Sequence, residues 1–152
     1  MTSNPGASHN WRRHLLDSAD EIRALLERVR RIAVVGIKME PSQPASYVPS
    51  YAASAGFEIV PVPVYYPNVT EILGQRVYRR VSDIPGEIDL VNVFRRAPDI
   101  PGHVDDIIAK RPGAVWFQLG IRDDNSAQVF ARAGIDVVQD RCLMVEMRRI
   151  GR

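Results

Sequence analysis

A chain of 152 residues, 45% of them hydrophobic and 25% charged, is long enough for one well-buried core and short for two. Its formal net charge of +2, with no lysine-rich tail or long basic run, suits a small anionic ligand and argues against nucleic acid as the partner. Apolar runs are strand-sized rather than the roughly 20 residues of a membrane helix, the amino terminus lacks the apolar core of a signal peptide, and the lone Cys142 excludes an intramolecular disulfide, so a soluble, cytoplasmic protein is expected.

Residues 1–14 mix small, polar and basic types without periodicity and are expected to form a mobile tail, with Trp11 docked at most, ahead of a single domain over 15–152. Ser18 to Glu21 has capping-box spacing and Ile22, Leu25, Leu26 and Val29 follow at helical intervals, which predicts a helix over 18–30. Ile32 to Val35, ended by Gly36, has the continuous apolar character of a strand buried on both faces. Ser46 is placed as the cap of a second helix reaching Ala55, with Pro49 in its first turn and Gly56 as a left-handed stop.

Phe57 to Val62 reads as the second strand, Asp89 to Phe94 as the third, Ala114 to Leu119 as the fourth and Ile135 to Val138 as the fifth. Helices are predicted over 99–110, 124–133 and 143–149. The segment from Pro63 to Pro85 breaks the rhythm and is assigned a short helical turn and an irregular strand. Strands alternating with helices imply an α/β fold, a Rossmann-like doubly wound parallel sheet of about five strands with helices on both faces.

In such sheets ligands bind beyond the carboxyl ends of the strands, where strand order reverses. The exits are Gly36-Ile37-Lys38, Pro63-Val64-Tyr65, Arg95-Arg96, Gly120-Ile121-Arg122 and Asp140-Arg141-Cys142, and four of the five carry a cation. Lys38, Arg95, Arg96, Arg122 and Arg141 would ring one rim and attract a polyanion, although arginines are also common on solvated loops. Gly36 permits a sharp turn and close approach, and the following helix aims its free amides at the same space. A G-x-G-x-x-G loop, an acid at the end of the second strand and a GxxxxGK[ST] loop are all missing, which disfavours dinucleotides and P-loop nucleotides. Coenzyme A, with a pyrophosphate and a 3′-phosphate, needs cations and tolerates the missing acid.

IAVVG at 32–36, PSQPASYV at 41–48, EILG at 71–74, DLVNVFRR at 89–96, VWFQLGI at 115–121 and AGIDVVQDRCLMVE at 133–146 resemble the small stand-alone CoA-binding proteins, which are similar to the amino-terminal domain of the succinyl-CoA synthetase alpha subunit. The resemblance covers about residues 15–150. It implies that Gly36, Lys38, Ser42 and Gln43 meet phosphates, that Pro63 and Val64 flank the adenine, and that Val93, Phe94 and Arg95 line the middle. By the same resemblance Gln118, Gly120 and Ile121 border the pantetheine arm, and Ile37, Tyr65, Arg96 and Arg122, at the same strand exits, complete the candidate cofactor-binding residues. Family members often carry arginine where Gln43 stands and an asparagine in the turn after the second strand, so this chain lacks one phosphate cation and one polar ribose contact. The implied partner is CoA or an acyl-CoA, with a homo-oligomer or a partner enzyme left open.

No catalytic set accompanies these residues. His9 and His14 lie in or beside the tail, His103 is placed on a helix away from the rim, and no zinc-like ligand set is present. Asp99, Asp105 and Asp106 fit a cap and a solvated helix face. Cys142 reads as small core filler, or as a thiol that Arg141 makes reactive enough for a mixed disulfide with CoA. Two alternatives remain: an enzyme using NAD(P), and an interaction module of the same fold without a ligand.

Overall fold

The computed structural model describes residues 10–152; His9 and the other residues of 1–9 lie outside the described residues. The main elements are α1 (Ala19–Arg28), β1 (Arg31–Val35), α2 (Pro44–Ser54), β2 (Glu58–Val62), β3 (Glu71–Ile72), β4 (Gln75–Arg76), β5 (Leu90–Val93), α3 (Val104–Lys110), β6 (Ala114–Phe117), α4 (Asp124–Arg132), β7 (Asp136–Val138) and α5 (Leu143–Arg149). Five of the strands form one parallel sheet in the order β2-β1-β5-β6-β7. The chain winds outward from β1 to β2, then crosses to β5 and winds the other way. The reversal therefore lies between β1 and β5.

Side-chain alternation divides the core into two layers. Ile32, Val34, Leu90 and Trp116 project to one face and meet Leu25 and Leu26 of α1, Val48 and Ala52 of α2 and Met147 of α5. Ala33, Val35, Val91, Val93, Val115 and Phe117 project to the other and meet Ile107 of α3 and Phe130 of α4. Trp116, Phe117 and Phe130 are fully buried, which stabilises the fold by about 1.5–3 kcal/mol for a side chain such as Phe. Ser18 and Glu21 make the reciprocal capping box that the spacing predicts, each side chain bonded to the other's amide at 3.1 Å.

Three expectations need correction. α2 begins at Pro44 with Gln43 as its cap, not at Ser46, so Pro49 lies inside the helix. Pro44 has the fixed φ and missing N–H that suit a first helical position. Pro49 cannot donate to the Ala45 carbonyl, and the Lys38 amide fills that place at 3.0 Å. Next, Asn10 to His14, assigned to the tail, pack on the domain: Trp11–His14 form a 3-10 turn, the Arg12 and Arg132 guanidiniums lie 4.3 and 5.0 Å from the Trp11 ring centroid, and His14 Nδ1 meets Asp136 Oδ1 at 2.7 Å. Finally, the helix predicted from Asp99 opens as a 3-10 stretch, Ala97–His103, because Pro98 and Pro101 withhold amides there.

The irregular segment resolves into a tight β3–β4 hairpin, with Leu73 and Gly74 at φ 54° and 71°, and a 3-10 turn at Val81–Asp83. Asp106 caps that turn by accepting from the amides of Val81 and Ser82 at 2.7 and 3.0 Å and from the Ser82 hydroxyl at 2.5 Å. Both edges of the main sheet are occupied. The Leu16 amide donates to the Val137 carbonyl of β7 at 2.8 Å, and the Tyr78 amide to the Pro61 carbonyl of β2 at 3.0 Å. No helix among the described residues is long and apolar enough to cross a membrane.

Candidate ligand-binding site

Gly36 stands where the sheet reverses. Its amide donates to the Val62 carbonyl at 2.9 Å and its φ is 83°. A β-carbon there would collide with the Phe94 carbonyl oxygen and approach the Arg95 side chain to 3.2 Å. Only glycine lets the loops after β1 and β5 lie this close, and the close approach places Lys38 and Arg95 on the same rim. Ile37 and Val93 are buried beside this turn and support it from the core.

A cavity of about 380 Å³ opens above the reversal. Lys38 and Gln43 form one wall with Pro44 and Ala45 of α2; Phe94, Arg95 and Arg96 form the facing wall. Gln118, Gly120 and Ile121 close the far end, together with the exposed Leu119. At the start of α2, Pro44 has no N–H and the Ser46 and Tyr47 amides both turn to the Gln43 carbonyl at 2.9 and 3.0 Å. Ala45, whose amide belongs to the first turn that has no acceptor within the helix, lines the cavity at the positive end of α2.

A second cavity, about 360 Å³, shares Lys38 and Gln43 and extends to Glu40, Tyr65 and Tyr66. Lys38 Nζ lies 5.6 Å from the Tyr65 ring centroid. The Tyr66 hydroxyl donates to Glu40 Oε2 at 2.6 Å and accepts from the Met39 amide at 3.1 Å, and Tyr66 holds φ 61°. Arg79 clamps this loop from behind through the carbonyls of Tyr65, Tyr66 and Val69 at 2.5–3.0 Å. The Tyr66 hydrogen bond, followed by the residue's own amide, holds the Glu40 carboxyl below the usual carboxylate range. Burial, reinforced by Glu40, pushes the Tyr66 phenol above its ordinary value.

The five cations expected to ring the rim separate into two groups. Lys38, Arg95 and Arg96 border the cavity, and of these Arg95 and Arg96 share one carboxylate, Asp99, at 3.7 and 3.6 Å. Arg122 turns instead toward the cavity beneath the amino-terminal turn and pairs with Asp124 at 3.1 Å. Arg141 is bonded to Asp17 at 2.9 Å and faces Glu146 at 4.0 Å. Of the remaining predicted residues, Ser42 and Val64 are exposed and Pro63 is buried, and none of the three borders either cavity.

Sequence reasoning missed Glu40, Tyr66 and His103. The sequence places His103 away from the rim, yet its Nε2 accepts a hydrogen bond from Arg95 Nε at 3.2 Å. Only a contact between the 3-10 stretch and the β5 exit reveals it. Asn92 and Gln118 form a buried polar pair behind the cavity: Gln118 Oε1 accepts from the Leu143 amide at 3.4 Å, and Asn92 Oδ1 has no partner among the described residues. Cys142 is half-buried against the core layer of α1 and α5. No cluster of three or more metal-ligating side chains occurs among the described residues.

Residues 30–148 match the family described as CoA binding domain. The uncharacterized protein YneT of Bacillus subtilis (strain 168) is 34% identical over 128 residues, 84% of this chain and 93% of that protein. A Thermus thermophilus structure superposes with a TM-score of 0.81 at 38% identity, covering 88% of this chain and 99% of the other. A hypothetical protein from Pyrococcus horikoshii OT3 superposes equally well, with a TM-score of 0.81 at 31% identity over 88% of this chain and 92% of its own.

Proposed function

This chain belongs to the CoA binding domain family, and from that premise we propose that it holds CoA or an acyl-CoA across the carboxyl edge of its sheet, as a binding protein with no chemistry of its own. One observation carries the reading. Lys38, Arg95, Arg96 and the start of α2 converge on one cavity at the strand-order reversal. The pyrophosphate lies between Lys38 and the Ala45 amide, the adenosine extends toward Tyr65 and Tyr66, and the pantetheine arm runs past Phe94 toward Gln118 and Gly120. Cations on two facing walls neutralise charge that a single helix end cannot. A cytoplasmic location belongs to the same proposal, in keeping with the single cysteine.

A second reading has one observation in its favour. The acid that a dinucleotide site uses to bond the adenosine ribose is missing from the carboxyl end of β2, but Glu40 brings a carboxylate to the same exit from the loop after β1. Parallel calorimetric titrations with CoA and NADH separate the two. Saturable CoA binding with a weak NADH response is the expected result; tight NADH binding without a CoA response reverses the assignment. A native mass spectrum of freshly purified protein adds an independent check, since a retained ligand identifies itself by mass.

A further inference from the structure

His103 belongs to neither cavity wall, yet it is the direct support of a side chain that does. Arg95 leaves β5 with only 17% of its side chain exposed, so its direction is set by its neighbours. Those neighbours are His103 Nε2, 3.2 Å from Arg95 Nε, and Asp99, 3.7 Å from an Nη. An arginine Nε always carries its proton, so the imidazole Nε2 must be bare and the ring neutral, with its proton on Nδ1. We propose that neutral His103 is a positioning residue for anion binding: its bare Nε2 fixes the Arg95 guanidinium on the wall of the phosphate cavity, and its protonation in mildly acidic solution releases Arg95 and weakens binding.

The charges around the ring act in both directions. Arg95 from the β5 exit opposes a charged imidazole, while Asp99 on the same 3-10 stretch and Asp106 on α3 favour one. Asp106 is already held by the Val81 and Ser82 amides and by Arg80 at 3.6 Å, so much of its charge is satisfied elsewhere. Burial is the largest influence and acts with Arg95, keeping the His103 pKa below its ordinary value. The hydrogen bond is thus intact at neutral pH and fails as pH falls below the usual histidine range. A protonated His103 would add positive charge near the ligand. Because the ring stands behind Arg95 rather than on the cavity wall, loss of the guanidinium's orientation outweighs that gain.

The inference rests on the CoA reading for its ligand, and its test keeps the two apart. The 3′-phosphate of CoA itself titrates at about pH 6, so dephospho-CoA, which retains only the pyrophosphate diester, is the probe. Wild-type affinity is expected to fall about threefold to tenfold between pH 7.5 and pH 5, the size of one charge-assisted hydrogen bond partly screened by solvent. In His103→Gln, whose amide oxygen accepts from Arg95 at any pH, affinity at pH 7.5 is kept and the pH step is lost. In His103→Leu affinity is already low at pH 7.5. A step that persists in His103→Gln, or affinity that rises on acidification, overturns the proposal. A ligand-free readout decides the coupling if CoA fails to bind at all: the NMR signal of Arg95 Nε–H should move with the His103 titration, and an Arg95 signal unchanged from pH 8 to pH 5 would falsify it.

Discussion

The exits of β5 and β7 look alike in sequence, each an arginine-bearing loop just past an apolar strand, and they behave differently. At the β5 exit Arg95 and Arg96 share a single carboxylate beside a cavity that also holds Lys38. Past β7, Arg141 is matched by Asp17 and Glu146; Arg122, from the neighbouring β6 exit, is matched by Asp124. One region keeps positive charge in reserve and the other has committed it to the fold. Arginine content therefore says little about anion binding until the carboxylates nearby are counted. What separates the two regions is position relative to the reversal, where Gly36 lets two loops meet.

Charge reversal breaks the comparison most directly. Lys38→Glu with Arg95→Glu is expected to weaken CoA binding by about 100-fold or more, because two charge-assisted hydrogen bonds to phosphate give way to two repulsions. Arg122→Glu with Arg141→Glu is expected to change affinity by about twofold at most, because those charges act through solvent and salt. Calorimetric titration of both double variants checks the contrast, and equal losses would erase the distinction between the regions.

Glycine substitution sharpens it. Gly36→Ala meets both a left-handed φ and the Phe94 carbonyl, and should cost about 3 kcal/mol or more in chemical denaturation. Gly120→Ala, at φ 84° on the same rim but with nothing within 4 Å, should cost about 1 kcal/mol. Pro49→Ala comes next. It supplies an amide that competes with Lys38 for the Ala45 carbonyl, so CoA affinity should fall about threefold while the helix itself loses no stability. The smallest change is Glu40→Gln, which removes a carboxylate beside Lys38; CoA affinity should rise about twofold, less at high salt.

The five main strands and the glycine at the reversal were legible because a strand buried on both faces leaves a continuous apolar run and a sharp exit leaves a glycine. α2 began elsewhere because Pro44 and Pro49 both satisfy the first-turn rule, and only the Lys38–Ala45 hydrogen bond, a tertiary contact, decides between them. The β3–β4 hairpin escaped notice because Leu73 takes a positive φ that sequence rules reserve for glycine and asparagine. Of the site, the Lys38 and Arg95 walls were readable from strand exits. The Arg141–Asp17 pair, the Glu40–Tyr66 bond and the His103–Arg95 bond join residues from different loops or turns, and no local pattern announces them; Arg122 meets Asp124 only two residues on, a pairing that sequence spacing allows but does not single out from a solvated arginine.

The covered borders of the sheet bear on how this molecule meets copies of itself. Among the described residues, the Leu16 amide occupies the Val137 carbonyl of β7, the Tyr78 amide occupies the Pro61 carbonyl of β2, and Pro61 cannot donate outward, so each margin is interrupted as a ladder for strand-by-strand growth. Self-association is thereby steered to helix faces and loop tips, and a chain cut after Leu16 would bare the β7 margin and become prone to ribbon-like clumping.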